Sequence, residues 1–231
     1  MRRFVLSLGA VACLAGLVDP PQASAQQAVN IFVGGFMPKG LDSRDTHDIF
    51  RQDNNFLKFD FPTLNGPIVG GGWTVGLADV FDAGIDVGFY QRTTPAVYKV
   101  LPAVQQDLQL RIIPVTATIR FLPLGHHGPA RPYIGGGVGV FAWRYSEVGD
   151  FLAANGIKSP LSVEESHVNA GPVILGGITF PIGGIVSIGG EVRYQSGQGS
   201  LAPNVFGSSL NPSPVVDLGG LNYMATVSFG K

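Results

Sequence analysis

Ser166-His167 beside Glu164 and Glu165 is the combination in this chain nearest to a hydrolytic constellation. A hydroxyl, an imidazole and a carboxylate can together make a nucleophile. Neighbouring residues on a strand point to opposite faces, so in an extended segment this serine and histidine cannot exchange a proton. No Gly-x-Ser-x-Gly elbow occurs anywhere in the chain. His47 with Asp45, Asp48 and Asp53 offers metal-binding atoms, but the spacing matches no helix or hairpin ligand set and reads as a solvated loop. His126-His127 reads as a solvated turn. The runs Gly70-Gly71-Gly72 and Gly135-Gly136-Gly137 lack the Gly-x-Gly-x-x-Gly pattern with a following helix. In strands, such glycines mark bends or close approach. No catalytic residue, metal ligand or cofactor site is assigned.

A second set of charges is more consequential: Asp86, Arg92, Arg111, Arg120, Glu191 and Arg193. Each sits in a segment where apolar residues recur at every second position, the strand period. Over Ala83–Thr93, Ala83, Ile85, Val87 and Phe89 make one face, with Asp86, Tyr90 and Arg92 on the other. Over Ile185–Ser196, Val186, Ile188, Val192 and Tyr194 oppose Glu191 and Arg193. Further strands are expected at Ala28–Pro38, Gly66–Ala78, Leu108–Leu122, Pro132–Glu147, Ser166–Phe180 and from Leu221 to Phe229. In Leu108–Leu122 the apolar positions change from even (Leu108, Leu110, Ile112) to odd (Ile113, Val115, Ile119), and a β-bulge near Ile113-Pro114 would explain the shift. Gln109, Arg111, Thr116, Thr118 and Arg120 then share the polar face. Trp73, Phe141, Trp143, Tyr145, Tyr194, Tyr223 and Phe229 read as an outward aromatic girdle.

Eight such segments are joined by connections that alternate longer and shorter. Charged residues are only 13% of the chain, against about 25% in soluble domains. No stretch after the first segment has the roughly 18 apolar residues of a spanning helix. An apolar chain whose hydrophobicity lies on alternate residues fits an all-β, eight-stranded antiparallel up-and-down transmembrane β-barrel. Arg2-Arg3, the apolar run Phe4–Val18 and Ala23-Ser24-Ala25 read as a signal peptide over 1–25, cleaved near Ala25, leaving 26–231 as one barrel domain. The one cysteine, Cys13, lies in that leader, so disulfides and thiol chemistry are not expected in the mature chain. A formal net charge of −1 offers no basic field for nucleic acid.

The run Arg131-Pro132-Tyr133-Ile134-Gly135-Gly136-Gly137-Val138-Gly139 and the alternating last strand carry a family likeness. The chain resembles the small outer-membrane β-barrel superfamily that contains the OmpW, OmpX and OmpA-barrel proteins. The resemblance implies outer-membrane lipid as surroundings and the barrel-assembly machinery as a partner in biogenesis. In that family the last strand usually ends on an aromatic residue; here Phe229 is followed by Gly230-Lys231, a departure from the assembly signal. OmpW-like members imply passage of small apolar solutes, and OmpX-like members a closed barrel.

Charges enclosed in a barrel of eight strands must pair or stay hydrated, and the interior is just wide enough for side chains. The inward set therefore reads as a structural ion network or a gate. The expected function is non-enzymatic: an envelope-structural role, or passive passage of small apolar solutes. The alternatives are a surface interaction protein acting through exposed loops, led by Lys39–Asn65, and a lipid-modifying enzyme.

Overall fold

The computed structural model describes residues 26–153, 156–202 and 214–230; the expected leader lies outside them. Eight long strands build the wall: β1 Gln27–Pro38, β2 Gly66–Ala78, β3 Phe81–Tyr98, β4 Gln105–Phe121, β5 Arg131–Ala153, β6 Gly156–Pro181, β7 Val186–Gln195 and β8 Gly220–Gly230. Each pairs antiparallel with its chain neighbours. The ring closes where β1 pairs β8, from Ala28↔Gly230 to Pro38↔Gly220. Where all eight strands pair, closure leaves no sheet edge, which a bilayer requires of strands.

Outward positions carry Val29, Ile31, Val33, Ile85, Val87, Ile134, Val138, Ile174 and Ile188, all exposed. So large a continuous apolar surface has only lipid as a suitable solvent. The belt ends at an outer rim where the outward residues become Gln91 on β3, Arg111 on β4, Arg144 on β5 and Glu164 on β6. Gln91 lies opposite Arg111, Arg111 opposite Arg144, and Arg144 is ion-paired with Glu164. At the other end Phe81 and Phe121 pair at 5.4 Å between ring centres, and Trp73, Phe180 and Phe229 are exposed on β2, β6 and β8.

The wall has unequal height. Strands β7, β8, β1 and β2 have 10, 11, 12 and 13 residues, close to the 9–11 or so that span a bilayer. Strands β3 to β6 have 18, 17, 23 and 26 and rise past the rim. The stretches Thr94–Asp107 and Val148–Glu165, expected as loops, are thus largely strand. Their exposed residues mix polar side chains with apolar ones such as Val148, Leu152 and Leu161, so a search for apolar periodicity passes over them.

The expected bulge in β4 is absent. Tyr90↔Ile112 and Val87↔Val115 lie on one register, and pairing with β5 is continuous through Ile113 and Pro114. Even positions face inward throughout, so Leu108, Leu110 and Ile112 are buried inside and Gln109 and Arg111 stand outside. The polarity of the interior changes along the barrel, not the facing of the strand.

Inward glycines on β5 let the wall close tightly. A Cβ on Gly137 would collide with the Ala117 carbonyl of β4. Gly137→Val is expected to destabilise the folded barrel by about 1–3 kcal/mol or more, read as a lower urea midpoint in lipid vesicles.

Candidate functional site

The barrel interior has a polar floor. Arg193 on β7 donates through Nε and Nη2 to Glu191 Oε1 at 2.9 and 2.6 Å, through Nη2 to Asp86 Oδ2 at 2.7 Å, and through Nη1 to Thr116 Oγ1 at 2.9 Å. Arg120 Nη2 lies 3.4 Å from both Asp86 Oδ2 and Glu191 Oε2. Tyr133 donates its hydroxyl to Glu191 Oε2 at 2.9 Å, and the Arg120 guanidinium sits 5.2 Å over the Tyr133 ring. Two carboxylates meet two guanidiniums, so the buried charge is balanced, as a low-dielectric interior demands. A cavity of about 20 Å³ borders this network, room for about one water. Below it, toward the short turns, a vestibule of about 110 Å³ includes His126, whose Nε2 lies 2.7 Å from Asp82 Oδ1. His126 is therefore tucked into the mouth, where the sequence suggested a solvated turn.

Above the floor the interior is mainly apolar, with Gln195 and Asn222 bonded to each other at 3.2 Å among the apolar side chains. Phe32, Phe36, Ile68, Tyr90, Ile112 and Met224 form the next level, with Phe36 edge-on to Tyr90 at 4.8 Å. Leu108, Leu110, Phe141, Trp143, Tyr145 and Val173 continue it upward.

The segment 39–65 fills this space. It folds into a 3₁₀ turn Leu41–Ser43, a short helix α1 Ile49–Asp53, a strand Leu57–Phe59 paired with Ala96–Tyr98 of β3, and a second 3₁₀ turn Phe61–Leu64. Ile49, Phe50, Leu57, Phe61 and Leu64 are buried in one cluster with the upper wall. A small ribbon, Gln198–Ser200 with Val215–Asp217, adds Val216 and its neighbours Leu201 and Leu218. The expected solvated loop is thus a cap with its own core. Alternating strand patterns could not reveal it, because its apolar residues follow turns and one helical turn.

Asp48 is the keystone of the cap. It caps α1 by accepting from Phe50 N at 3.1 Å, takes Arg44 Nη1 at 2.8 Å, and accepts from Asp217 N at 2.8 Å. Both side chains of the Arg44–Asp48 pair are fully buried. Arg44 also stacks over Phe50 and Phe61 at 5.2 and 5.0 Å. Burial pushes the Asp48 carboxyl above its ordinary pKa, with Arg44 opposing.

A second polar contact ties cap to wall. Asp53 at the end of α1 meets Tyr145 and Glu147 of β5, both above the lipid belt. The Tyr145 hydroxyl lies 3.0 Å from Asp53 Oδ2 and 3.0 Å from Glu147 Oε1. Gln106 of β4 donates to Glu147 Oε2 at 3.2 Å. The Phe50 ring stands edge-on to Tyr145 at 5.2 Å.

Of the six charges expected inside, Asp86, Arg120, Glu191 and Arg193 meet at the floor. Arg92 points inward but higher, donating from Nε to the Thr63 carbonyl of the cap at 3.2 Å. Arg111 is on the outer face, for the register reason given above. Of the expected girdle, Trp73, Tyr223 and Phe229 are exposed outward and Tyr194 is half-buried on that same face. Phe141, Trp143 and Tyr145 instead point inward and are buried, because odd positions of β5 face the interior. Sequence reasoning missed Glu147 and Arg44, and read Asp48 and Asp53 as part of a solvated loop where both are buried in the cap. The shared parity of Tyr145 and Glu147 was the available signal.

Ser166 lies opposite Arg144 and His167 opposite Trp143, so the two side chains leave the strand on opposite faces. His47 bonds Asp45 at 2.8 Å in solvent, while Asp48 and Asp53 turn into the cap. The four do not converge.

A closed antiparallel ring of eight strands, a lipid-facing belt and a charge-balanced interior define a small β-barrel of the outer-membrane kind. Among solved structures the chain is similar to the outer membrane protein OprG from Pseudomonas aeruginosa, at 14% identity over 90% of this chain and 96% of that one, with a TM-score of 0.59. It also matches the N-terminal β-barrel domain of Pseudomonas aeruginosa OprF at 12% identity, 90% and 99% coverage and TM-score 0.44. The outer membrane protease OmpT from Escherichia coli matches at 9% identity, 91% and 98% coverage and TM-score 0.46. No protein-family model and no curated protein matches the sequence. At these identities the likeness is one of fold, and fold alone assigns no activity.

Proposed function

We propose that this chain is a non-enzymatic outer-membrane barrel that admits small apolar solutes into its extracellular half when the cap lifts. The observation that carries this reading is the apolar interior above the ionic floor, filled by the cap's own Ile49, Phe50, Leu57, Phe61 and Leu64. Those side chains occupy the space as an apolar ligand would. The floor of Asp86, Arg120, Glu191 and Arg193 denies solutes and ions the straight path. A solute therefore leaves sideways, where pairing of β6 with β7 stops at Val173↔Gln195 and β6 runs on without a β7 partner. With the cap shut, the barrel is a passive component of the envelope.

The test replaces residues 41–64 by a short Gly/Ser linker in the barrel folded in lipid vesicles. The variant is expected to bind an apolar fluorescent probe that the capped barrel excludes. Both proteins are expected to stay silent in planar-bilayer conductance, because the floor is untouched. A cap-free barrel that takes up no probe would remove this reading, and discrete conductance steps from the capped barrel would remove the closed floor.

A further inference from the structure

We infer that Asp53, Tyr145 and Glu147 form a proton-dependent latch that holds the cap shut in acid and loosens it as the external pH rises. The inference rests on the reading of segment 39–65 as a movable lid.

The number of available protons decides what these contacts can be. A phenol has one hydroxyl proton, so Tyr145 can donate to only one of the two carboxylates at 3.0 Å. The other contact is a hydrogen bond only if that carboxyl carries a proton and donates to the phenol oxygen. With both carboxylates ionised, one contact sets two oxygens against each other, and two like charges share a buried pocket. All three residues are buried.

Among the described residues, the surroundings supply no compensating cation. From β4, Gln106 gives Glu147 an amide, and from β3 the Tyr98 hydroxyl contacts that same Gln106 at 3.4 Å. On the cap itself, Asp48 adds a further negative charge and holds Arg44. Arg51 is spent on the Arg44 carbonyl, and Lys99 reaches the cap at the Asn54 carbonyl. Among the described residues, no ion pair reaches Asp53 or Glu147.

The electrostatics agree with the count. Burial, then the charge of Glu147, drive the Asp53 carboxyl well above the usual range. Burial pushes Glu147 up to about 7, against the bonds from Tyr145 and Gln106. Raised values in the closed state mean that the closed state binds protons more tightly than the open one. The latch is then at full strength below the ordinary carboxylate range and weakens as pH climbs from there through about 7.

The test is amide hydrogen exchange over residues 57–64 of the folded full barrel in lipid nanodiscs, corrected for the intrinsic pH effect. One proton released on opening makes opening about tenfold more frequent per pH unit within that window. A rise of roughly ten- to a hundredfold between pH 5 and 7 is expected. The double substitution Asp53→Asn with Glu147→Gln should flatten the profile. A flat wild-type profile overturns the latch whether or not the variant folds, and so does an unchanged slope in the variant. The linker replacement separates this from the solute reading. If the cap-free barrel takes no apolar probe, solute entry fails and the latch stands. If that barrel binds probe while wild-type exchange is flat, only the latch is lost.

Discussion

Arg193→Ala is expected to lower the stability of the folded barrel by about 3–5 kcal/mol, the usual cost of removing one partner from a buried ion network. The side chain makes four bonds to Glu191, Asp86 and Thr116. Its loss leaves two carboxylates facing Arg120 alone, whose contacts are longer, at 3.4 Å. Urea unfolding in vesicles, followed by the gel-mobility difference between folded and unfolded barrel, measures the change. Adding Glu191→Ala should return part of the loss, because the uncompensated charge goes with it. A single variant within about 0.5 kcal/mol of wild type, the ordinary range of a surface change, would mean that the floor is not a stabilising network.

Arg44→Ala has an effect of similar size in a different place. It strands Asp48, fully buried, with backbone donors but no cation. It also removes the cation stacked on Phe50 and Phe61. The penalty falls on the cap, because none of these groups belongs to the strand ring. Trypsin cleavage after Arg51 or Lys58 is expected to become about a hundredfold faster, the equivalent of roughly 3 kcal/mol. The urea midpoint of the barrel itself should hardly move. Equal protease resistance in variant and wild type would show that the pair does not hold the cap. Loss of the whole barrel would show that cap and ring fold as one unit.

The strands that cross the lipid belt were legible because lipid imposes one rule on them: apolar outward, polar or small inward. Val29, Ile31 and Val33 of β1 and Ile85, Val87 and Phe89 of β3 follow it, and their facing could be read from parity alone. Toward the rim and above it the interior itself turns apolar under the cap, so inward positions lose their polar signature. Leu108, Leu110 and Ile112 then belong inside, as do Phe141, Trp143 and Tyr145. That change of the interior accounts for both the bulge inferred in β4 and the girdle inferred in β5. The floor was partly legible, since Asp86, Arg120, Glu191 and Arg193 lie on inward parity within the belt. Arg92 kept that parity but sits beneath the cap, out of reach of the others. The cap contacts were beyond reach: Asp53 meets Tyr145 only through the fold of 39–65, and no local period encodes that meeting.

The seam between β1 and β8 decides how the molecule can be made. Seven of the eight wall pairings join strands that follow one another in the chain, so each can zip locally. The eighth brings Ala28 to Gly230, nearly the full length of the chain. Contacts of such sequence separation are the slow ones, because their loop entropy must be met before they contribute. Hairpins can therefore accumulate early, but an open sheet with two raw edges persists until the last strand arrives. The rate of that single encounter sets how long those edges stay open to pairing with other chains.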